Sequence, residues 1–278
     1  MTPANPIRLA VAPELDPAAV PRPALPAISM KRVDVAFQSK AGPVQALAGL
    51  DLTIEKQEFV SIVGPSGCGK STVLRVVSGL LKPSAGEVRV LGSEAEEARL
   101  YRSFGFVFQS SVMLPWLTAL ENVELPLEVI GRQAQKPPIS PAKLLEMVGL
   151  KGYEHLYPRQ LSGGMRQRVA IARALSFDPP VLLMDEPFAA VDALTRQKLH
   201  ALLLEVWNNA RKTVLFITHD VYEAVMLSDR ILVMSGSPGH IEHEIAIDLP
   251  RPRVPGLKSH PRYLSLCSRI LDLLIHEA

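Results

Sequence analysis

Cysteine is scarce in this chain of 278 residues, which contains only Cys68 and Cys267. Two thiols cannot form a disulfide framework or a four-ligand zinc site, so we expect a reduced, cytosolic chain. An excess of one charge is also absent, because 30 Lys and Arg residues face 28 Asp and Glu residues, for a net charge of +2. This balance gives no reason to expect a nucleic-acid partner, and we predict none.

Long apolar runs are missing as well. No uncharged stretch approaches the roughly 20 residues that a membrane-spanning helix needs, so we expect any membrane role to depend on a partner protein. The first 27 residues lack a helical or strand pattern, because seven prolines interrupt an alanine-rich stretch. Proline at this density disfavours helices and central strands, so we predict a disordered arm over residues 1–27.

The most informative stretch is a glycine-rich loop that fits the pattern G-x-x-x-x-G-K-[ST] in full. The short apolar strand Val60–Val63 precedes it, and a predicted helix, Thr72–Gly79, follows it. This setting favours a phosphate-binding loop over a chance match, because glycines let the backbone approach an anion and the helix N-terminus adds partial positive charge. The candidate nucleotide-binding residues here are Gly64, Pro65, Ser66, Gly67, Cys68, Gly69, Lys70, Ser71 and Thr72.

Four side chains in two motifs carry the expected chemistry. Lys70 is expected to reach the β- and γ-phosphates of a nucleotide, and the Ser71 hydroxyl to bind Mg²⁺. Asp185 and Glu186 end the apolar strand Val181–Met184, where α/β sheets bind ligands. We assign Asp185 to Mg²⁺ and Glu186 to the attacking water as a general base. A strand that ends in a solvated acidic turn is the alternative.

Strands alternate with helices along most of the chain. Ile28–Phe37 and Val44–Ile54 alternate apolar and polar residues, and we predict that they pair in an antiparallel sheet. After residue 181, the spacing of strands and helices is that of crossover units, which indicates a largely parallel sheet. Between these parts, helical periodicity dominates residues 110–165. We therefore predict an α/β fold with a P-loop NTPase core, a mainly parallel sheet, an N-terminal antiparallel β subdomain and a helical subdomain.

A third motif points to a family. The octet LSGGMRQR at residues 161–168 precedes a predicted helix that Ser162 can cap. With the two motifs above, the chain resembles the ATP-binding subunit of ABC transporters, whose signature motif is this octet. The resemblance covers about residues 28–250, which we assign to one ATP-binding domain with its helical subdomain at about 110–165. Residues 251–278 are then a C-terminal extension that contains an amphipathic helix.

The resemblance implies further site residues. Gln109 matches a glutamine that senses Mg²⁺ and the attacking water, and His219 matches a histidine that contacts the γ-phosphate. Asp192 occupies the place of the D-loop aspartate. Phe37 occupies that of an aromatic residue that stacks on adenine, although a core position is the alternative. The chain departs from the family at residues 56–58 (KQE), in a turn that commonly contains glycine.

The resemblance also implies an assembly. ABC ATPases form head-to-tail dimers with two ATP molecules in the interface, each held by the phosphate loop of one subunit and by Ser162, Gly163 and Gly164 of the other. Segments 109–123, 214–221 and 249–253 resemble the branch that imports nitrate, sulfonates and taurine. This branch implies an integral-membrane permease, a periplasmic solute-binding protein that acts indirectly, and a location on the cytoplasmic face of the bacterial inner membrane.

The likeness to importers makes one surface prediction. Residues 114–116 (LPW) are expected to contact the permease, because large apolar residues such as Trp are favoured at interface centres. A core position for Trp116 is the alternative. We therefore predict an ATPase that uses ATP and Mg²⁺ to energise import of a small solute, an oxyanion such as nitrate or an organosulfonate such as taurine.

Other functions stay open on the sequence alone. A soluble ABC ATPase that acts on nucleic acid or ribosomes typically has two nucleotide domains, a long coiled coil or zinc cysteines. This chain has one phosphate loop, no heptad run and two cysteines. An ABC ATPase of another transport branch is a further alternative. A non-catalytic adaptor is disfavoured, because Lys70, Asp185, Glu186 and His219 are all present.

Overall fold

The computed structural model of the chain describes residues 25–39, 42–130, 137–210 and 212–276. Most of the predicted N-terminal arm therefore lies outside the described residues. Its last residue, Ala27, is buried. The Ala27 N–H donates to the Ile54 carbonyl at 2.9 Å, and its carbonyl accepts from the Leu91 N–H at 2.8 Å. Ala27 thus belongs to the folded sheet rather than to the arm.

The N-terminal part of the fold is a small antiparallel sheet. Its strand order is β2-β1-β4-β5, and each neighbouring pair is antiparallel, as predicted for the first two strands. The alternating apolar residues of β1 and β2 turn one face toward a shared core that also contains α1. The four strands are β1 (Ile28–Ser39), β2 (Gly42–Ile54), β4 (Ala85–Val90) and β5 (Ser93–Glu94), and α1 is Lys70–Val77.

The second sheet has six strands in the order β10-β9-β3-β8-β7-β6, and all but β10 run parallel. Every residue of β3, β7 and β8 is buried, which is why these strands are short and mostly apolar rather than alternating. The carboxyl ends of the parallel strands meet at one edge, where the site is built. The strands are β3 (Phe59–Val63), β6 (Phe104–Val107), β7 (Val181–Asp185), β8 (Thr213–Ile217), β9 (Arg230–Ser235) and β10 (His240–Ala246).

Helices fill the connections between the strands. Three of them, α3, α4 and α5, lie between β6 and β7 and pack on one another around a shared apolar core. The remaining helices are α2, α6, α7 and α8. Within the described residues, the α-helices after α1 are α2 (Ala95–Leu100), α3 (Ala119–Ile130), α4 (Pro141–Met147), α5 (Gly163–Leu175), α6 (Ala193–Ala210), α7 (Val221–Leu227) and α8 (Pro261–His276). The predicted α/β class with its two kinds of sheet is confirmed.

The turn before β3 has no glycine, yet it adopts a backbone conformation that glycine prefers. Gln57 has a φ of 66°, in the left-handed region. Its N–H donates to the Thr213 hydroxyl at 3.0 Å, and the Glu58 N–H donates to the Glu55 carbonyl at 3.3 Å. These bonds hold the turn closed, so the departure from the family pattern leaves the entry into β3 intact.

The C-terminal helix α8 is amphipathic, as predicted, and lies against α7. Its buried stripe contains Tyr263, Leu266, Cys267 and Ile270. The Tyr263 hydroxyl donates to the Tyr222 carbonyl at 2.8 Å, which fixes α8 to the start of α7. Among the described residues, no helix combines the length and the apolar character that crossing a membrane requires.

Candidate functional site

The glycine-rich loop connects β3 to α1 and is closely packed on its inner side. Gly67 and Gly69 have φ values of 87° and 94°, which side chains rarely tolerate. A Cβ on Gly64 would lie 2.1 Å from the Met234 carbonyl oxygen, so only glycine fits there. Ser66 and Gly67 are exposed at the tip of the loop. The loop is thus closely packed on its inner side and accessible to solvent at its tip.

Lys70 begins α1 and turns its side chain back into the loop. Its Nζ donates to the Gly64 carbonyl at 2.8 Å and to the Pro65 carbonyl at 2.7 Å. The side chain of Cys68 lies beneath it, with its Sγ 3.9 Å from Nζ. Lys70 is only 8% exposed, and these carbonyls are weaker partners for an ammonium group than an anion is. The loop therefore presents a buried cation that a phosphate can neutralise.

Asp185 and Glu186 follow one another at the end of β7 but differ in their surroundings. Asp185 is buried and accepts a hydrogen bond from the Ser71 hydroxyl at 3.1 Å. Burial raises the pKa of the Asp185 carboxyl, and the bond from Ser71 opposes this shift in part. Glu186 has a φ of 43°, and its N–H donates to the Ile217 carbonyl at 2.9 Å. Such a left-handed, non-glycine residue is held by its surroundings and is typical of functional sites.

The Glu186 carboxylate contacts residues that follow two neighbouring strands. Its Oε2 accepts from the Gln109 Nε2 at 3.1 Å and lies 3.3 Å from the His219 Nδ1. Gln109 follows β6, Glu186 follows β7 and His219 follows β8, so the parallel sheet brings them together. We call Lys70, Ser71, Gln109, Asp185, Glu186 and His219 the catalytic edge, after the roles that the sequence predicts for them. All six are site residues that the sequence predicted.

The Gln109 backbone is also tied to the signature helix. The Gln167 side chain on α5 donates from Nε2 to the Phe108 carbonyl at 3.0 Å. Gln167 lies within the signature octet, but sequence reasoning gave it no role. Its position on the buried side of α5 could have been inferred from the helical period.

The signature residues lie at a different place, at the start of α5. We call Ser162, Gly163 and Gly164 the signature end. The Ser162 hydroxyl accepts from the Met165 N–H at 3.2 Å and caps the helix. A Cβ on Gly164 would lie 2.9 Å from the Ala190 carbonyl oxygen, so this helix start lies against the loop that follows β7. Within the described residues, no hydrogen bond or ion pair joins the signature end to the catalytic edge.

Two other predicted residues lie apart from the catalytic edge. Asp192 caps α6 by accepting from the Thr195 N–H at 3.0 Å, and the hydrogen bonds from Thr195 lower the pKa of the Asp192 carboxyl. Phe37 on β1 is 39% exposed and pairs with Val44 on β2. Farther along β2, the Leu47 Cδ2 lies 2.8 Å from the position that a Cβ on Gly69 would occupy. The small sheet therefore lies beside the phosphate loop and leaves Phe37 outside the buried core.

Gly239 is a loop-supporting residue that sequence reasoning missed. It lies in the turn between β9 and β10, and its N–H donates to the Ala46 carbonyl at 2.9 Å. A Cβ on Gly239 would lie 1.9 Å from the Cys68 carbonyl oxygen and 2.6 Å from the Met234 Cε. The turn thus supports the phosphate loop from below. No local sequence pattern predicts this contact, because the two segments are far apart in the chain.

Comparison with known proteins agrees with this geometry. The family model described as ABC transporter matches residues 47–189. An uncharacterised ABC transporter ATP-binding protein of Methanocaldococcus jannaschii is 45% identical over 241 residues, which cover 87% of this chain and 88% of that protein. An aliphatic sulfonates import ATP-binding protein of Bacillus cereus is 42% identical, with coverage of 81% and 88%. A bicarbonate transport ATP-binding protein of Synechococcus elongatus is 42% identical, with coverage of 91% of each chain.

Solved structures give the same result. A dimeric structure of an ATP-binding cassette in a post-hydrolysis state, bound to ADP and Pi, superposes with a TM-score of 0.73 at 37% identity. The superposition covers 80% of this chain and 100% of that chain. A bacterial ABC transporter cassette, also solved as a dimer, gives a TM-score of 0.72 at 37% identity. Together with a phosphate loop that faces paired carboxylates, these matches show that the chain belongs to the ABC transporter family, of which it is an ATP-hydrolysing cassette.

Proposed function

We propose that this chain drives the import of a small anion through a separate membrane permease, working as a dimer on the cytoplasmic face of the bacterial inner membrane. The observation that carries the ATPase part is the shared Glu186 carboxylate, which Gln109 and His219 both contact beside the Ser71–Asp185 pair. The import part is supported by the relatives named for sulfonate import and bicarbonate transport.

The phosphate loop binds the nucleotide phosphates. Lys70 exchanges its two carbonyl partners for β- and γ-phosphate oxygens, which are stronger acceptors because they carry charge. The backbone of the exposed loop tip and the start of α1 surround the same phosphates. Phe37, exposed on the neighbouring sheet, stacks on the adenine ring. These contacts bind ATP before any step of hydrolysis.

Mg²⁺ fits the donor atoms beside the loop. The Ser71 hydroxyl and the Asp185 carboxylate are hard oxygen donors that lie 3.1 Å apart, and Gln109 adds an amide oxygen. The buried Asp185 carboxylate has its pKa raised by desolvation, so a cation at this position stabilises its charged form. When bound, the metal neutralises phosphate charge during transfer.

Hydrolysis depends on the other half of the catalytic edge. Glu186 accepts a proton from the attacking water, and its left-handed backbone fixes the direction of its side chain. Gln109 orients the same water from the neighbouring strand end. His219, which is exposed beside Glu186, donates a hydrogen bond to the γ-phosphate. The three groups act on one water and one phosphate because they share one edge of the sheet.

The second half of each ATP site comes from a second copy of the chain. The signature end offers a helix N-terminus and two glycines, a good anion site, and the first turn of α5 contains no acidic residue. Ser162, Gly163 and Gly164 of one copy bind the γ-phosphate held by the loop of the other, with Asp192 beside them. ATP closes this head-to-tail dimer, and hydrolysis reopens it.

The permease contact is the loop before α3. Trp116 is 68% exposed, so it is not a core residue. The loop that carries it is rigid, because the buried Asn122 accepts from the Leu114 N–H at 2.9 Å and donates to the Leu117 and Thr118 carbonyls at 3.0 and 2.9 Å. A large aromatic side chain on a preorganised loop is well suited to an interface centre.

The solute reaches the permease through a periplasmic binding protein. Two relatives are named for the transport of sulfonates and of bicarbonate, which are both small anions. We therefore assign an anion of this class as the solute. The cassette itself does not touch the solute. Its part is to convert ATP binding and hydrolysis into movement of the permease.

Co-purification tests this assignment. The tagged full chain is expressed in its native host, membranes are solubilised gently, and co-purifying proteins are identified. We expect a polytopic permease with the wild-type chain and a large loss of it with Trp116→Ala. Leu264→Ala, which removes an exposed apolar residue on α8, is the control and should retain it. Recovery of ribosomes or nucleic acid instead of a permease would reject transport and favour a soluble ABC ATPase.

A further inference from the structure

A buried polar network lies directly behind the catalytic edge. The His200 Nε2 on α6 is 2.7 Å from the Glu223 Oε1 on α7. The Thr218 hydroxyl donates to the other oxygen, Glu223 Oε2, at 2.6 Å. All three residues are buried. Burial of a carboxylate is costly unless both oxygens are satisfied, and here each has its own partner. Neither His200 nor Glu223 belongs to a motif that the sequence analysis singled out.

The network holds the backbone on both sides of His219. Thr218 immediately precedes His219, and its hydroxyl also accepts from the Asp220 N–H at 3.0 Å. Asp220 immediately follows His219, and its carboxylate accepts from the Glu223 N–H at 3.1 Å. Glu223 is therefore bonded to the residues before and after His219. The exposed His219 side chain is thus carried on backbone that is fixed from behind.

His200 also contacts the loop after β7, which contains Glu186. Its ring packs edge-on against Phe188, with ring centroids 5.0 Å apart and an angle of 66° between the planes. Phe188 lies two residues after Glu186, and its carbonyl accepts from the Val191 N–H at 3.1 Å. One imidazole therefore touches both the loop that carries Glu186 and the network that fixes His219.

We propose that His200 is a positioning residue that acts through Glu223 and Phe188 to hold Glu186 and His219 in their mutual geometry. The inference rests on the proposed roles of Glu186 and His219. Their side chains come within 3.3 Å of each other although they follow different strands. Functional groups must be held to within about 0.5 Å, and loss of a residue that orients such a group typically lowers activity about 10- to 100-fold.

Substitutions of His200 test this role in the purified full chain. His200→Leu keeps an apolar side chain against Phe188 but cannot bond Glu223, whereas His200→Gln restores a side-chain donor. The control is Leu203→Ala, which truncates a buried residue of the same helix that makes no polar contact. For each variant we measure kcat, the affinity for ATP, the melting temperature, and the imidazole NMR signals of His219, assigned by their loss in His219→Ala.

We expect His200→Leu to lower kcat about tenfold or more while the affinity for ATP changes less than twofold. Its His219 signals should shift, and His200→Gln should recover both kcat and the signals. Leu203→Ala should lower the melting temperature without moving either. If His200→Leu does not fold, Thr218→Val, which removes the hydroxyl at constant shape, should give the same loss of kcat.

Three results would overturn the positioning role. They are an unchanged kcat in His200→Leu, unmoved His219 signals, or an equal loss of kcat in Leu203→Ala. Failure of the inference and failure of the proposed function are distinguishable through His219→Ala and Glu186→Gln. If those two variants abolish turnover while His200→Leu does not, only the positioning role is wrong. If they retain turnover, the proposed hydrolysis mechanism is wrong.

Discussion

The catalytic edge and the signature end differ in how much of each is completed within one chain. In the catalytic edge, side chains from different elements bond to one another, as in the 3.1 Å contacts of Ser71 on α1 with Asp185 and of Gln109 with Glu186. At the signature end, the Ser162 hydroxyl is used in capping its own helix, and a Cβ on Gly163 would meet only the Arg166 side chain, at 4.0 Å. The first N–H groups of α5 have no partner within the helix.

This difference indicates which part of the proposed ATP site is formed within a single chain. The catalytic edge is preorganised before the nucleotide arrives, so its geometry can be judged from one copy. In the proposed dimer, the signature end supplies donors for an anion that is bound by the other copy. Variants at the catalytic edge should therefore change chemistry, whereas variants at the signature end should change assembly.

The largest effect is expected for Glu186→Gln at the catalytic edge. The amide has nearly the same size but cannot accept a proton from water, so kcat should fall at least about 100-fold. Binding of ATP should persist, and the ATP-bound dimer should accumulate, as measured by light scattering. Glu205→Gln, on the exposed side of α6, is the matched control and should behave like wild type. Residual turnover above about a tenth of the wild-type rate would contradict the role of general base.

Gly163→Asp tests the signature end. A carboxylate here repels a phosphate from the other subunit, and juxtaposed like charges at an interface cost several kcal/mol, so ATP-driven dimerisation should weaken more than about tenfold. The affinity of the single chain for ATP should not change. Gly163→Asn has the same shape without the charge and should retain the dimer. Equal dimerisation of the two variants in the Glu186→Gln background would show that no phosphate binds at this helix start.

Gly239→Ala should weaken ATP binding without touching the nucleotide. The added Cβ would lie 1.9 Å from the Cys68 carbonyl oxygen, so the phosphate loop must shift. Overpacking costs about 1–3 kcal/mol, which corresponds to a loss of affinity of about fivefold or more, measurable by calorimetry. At Gly256, a Cβ meets nothing within 4 Å, so Gly256→Ala is the control and should bind normally. Unchanged affinity in Gly239→Ala would mean that the turn does not support the loop.

The smallest effect concerns stability in the absence of metal and nucleotide. Burial raises the pKa of Asp185 in the folded chain, so its ionised form disfavours folding once the pH exceeds the ordinary pKa of an aspartate, about 3.9. Asp185→Asn should therefore raise the melting temperature at pH 7, by about 2–4 °C for each 1 kcal/mol relieved.

The pH dependence of that gain checks its sign. Below the ordinary aspartate pKa the carboxyl is neutral in both states, so the difference between variant and wild type should vanish. It should grow as the pH rises toward the raised pKa of the folded state and then stay constant. Asp272→Asn, exposed on α8, should leave the melting temperature unchanged. If Asp185→Asn instead lowers the melting temperature at pH 7, the interpretation that the buried Asp185 charge destabilises the fold and serves function is wrong.

Much of the catalytic edge was predictable because its information is local. Val181–Met184 is apolar at every position, and the acidic pair directly after it marks a strand end. The glycine-rich loop fits a pattern with a known physical basis. The paired strands β1 and β2 likewise show a clear alternation. Local propensity and tertiary structure agree in these segments, so the strands and the loop form where the sequence predicts them.

What the sequence did not reveal depends on distant contacts or on very short elements. The support of Cys68 by Gly239, and the pairing of His200 with Glu223, join residues that no local pattern connects. The strand β5 has two residues and α2 has six, too few for a period to appear. The left-handed Gln57 is stabilised by a hydroxyl from another strand rather than by its own preference.

The burial of Cys68 beneath Lys70 also has a consequence for chemical durability. The thiol is only 3% exposed, and burial raises its pKa, so little of it is the reactive thiolate at neutral pH. Oxidants and alkylating reagents attack the thiolate and need access to it. The cassette thus has a cysteine in the middle of its nucleotide loop that is chemically silent while the loop stays folded. ATP binding by this chain should therefore persist in the presence of oxidants that act only on exposed thiols.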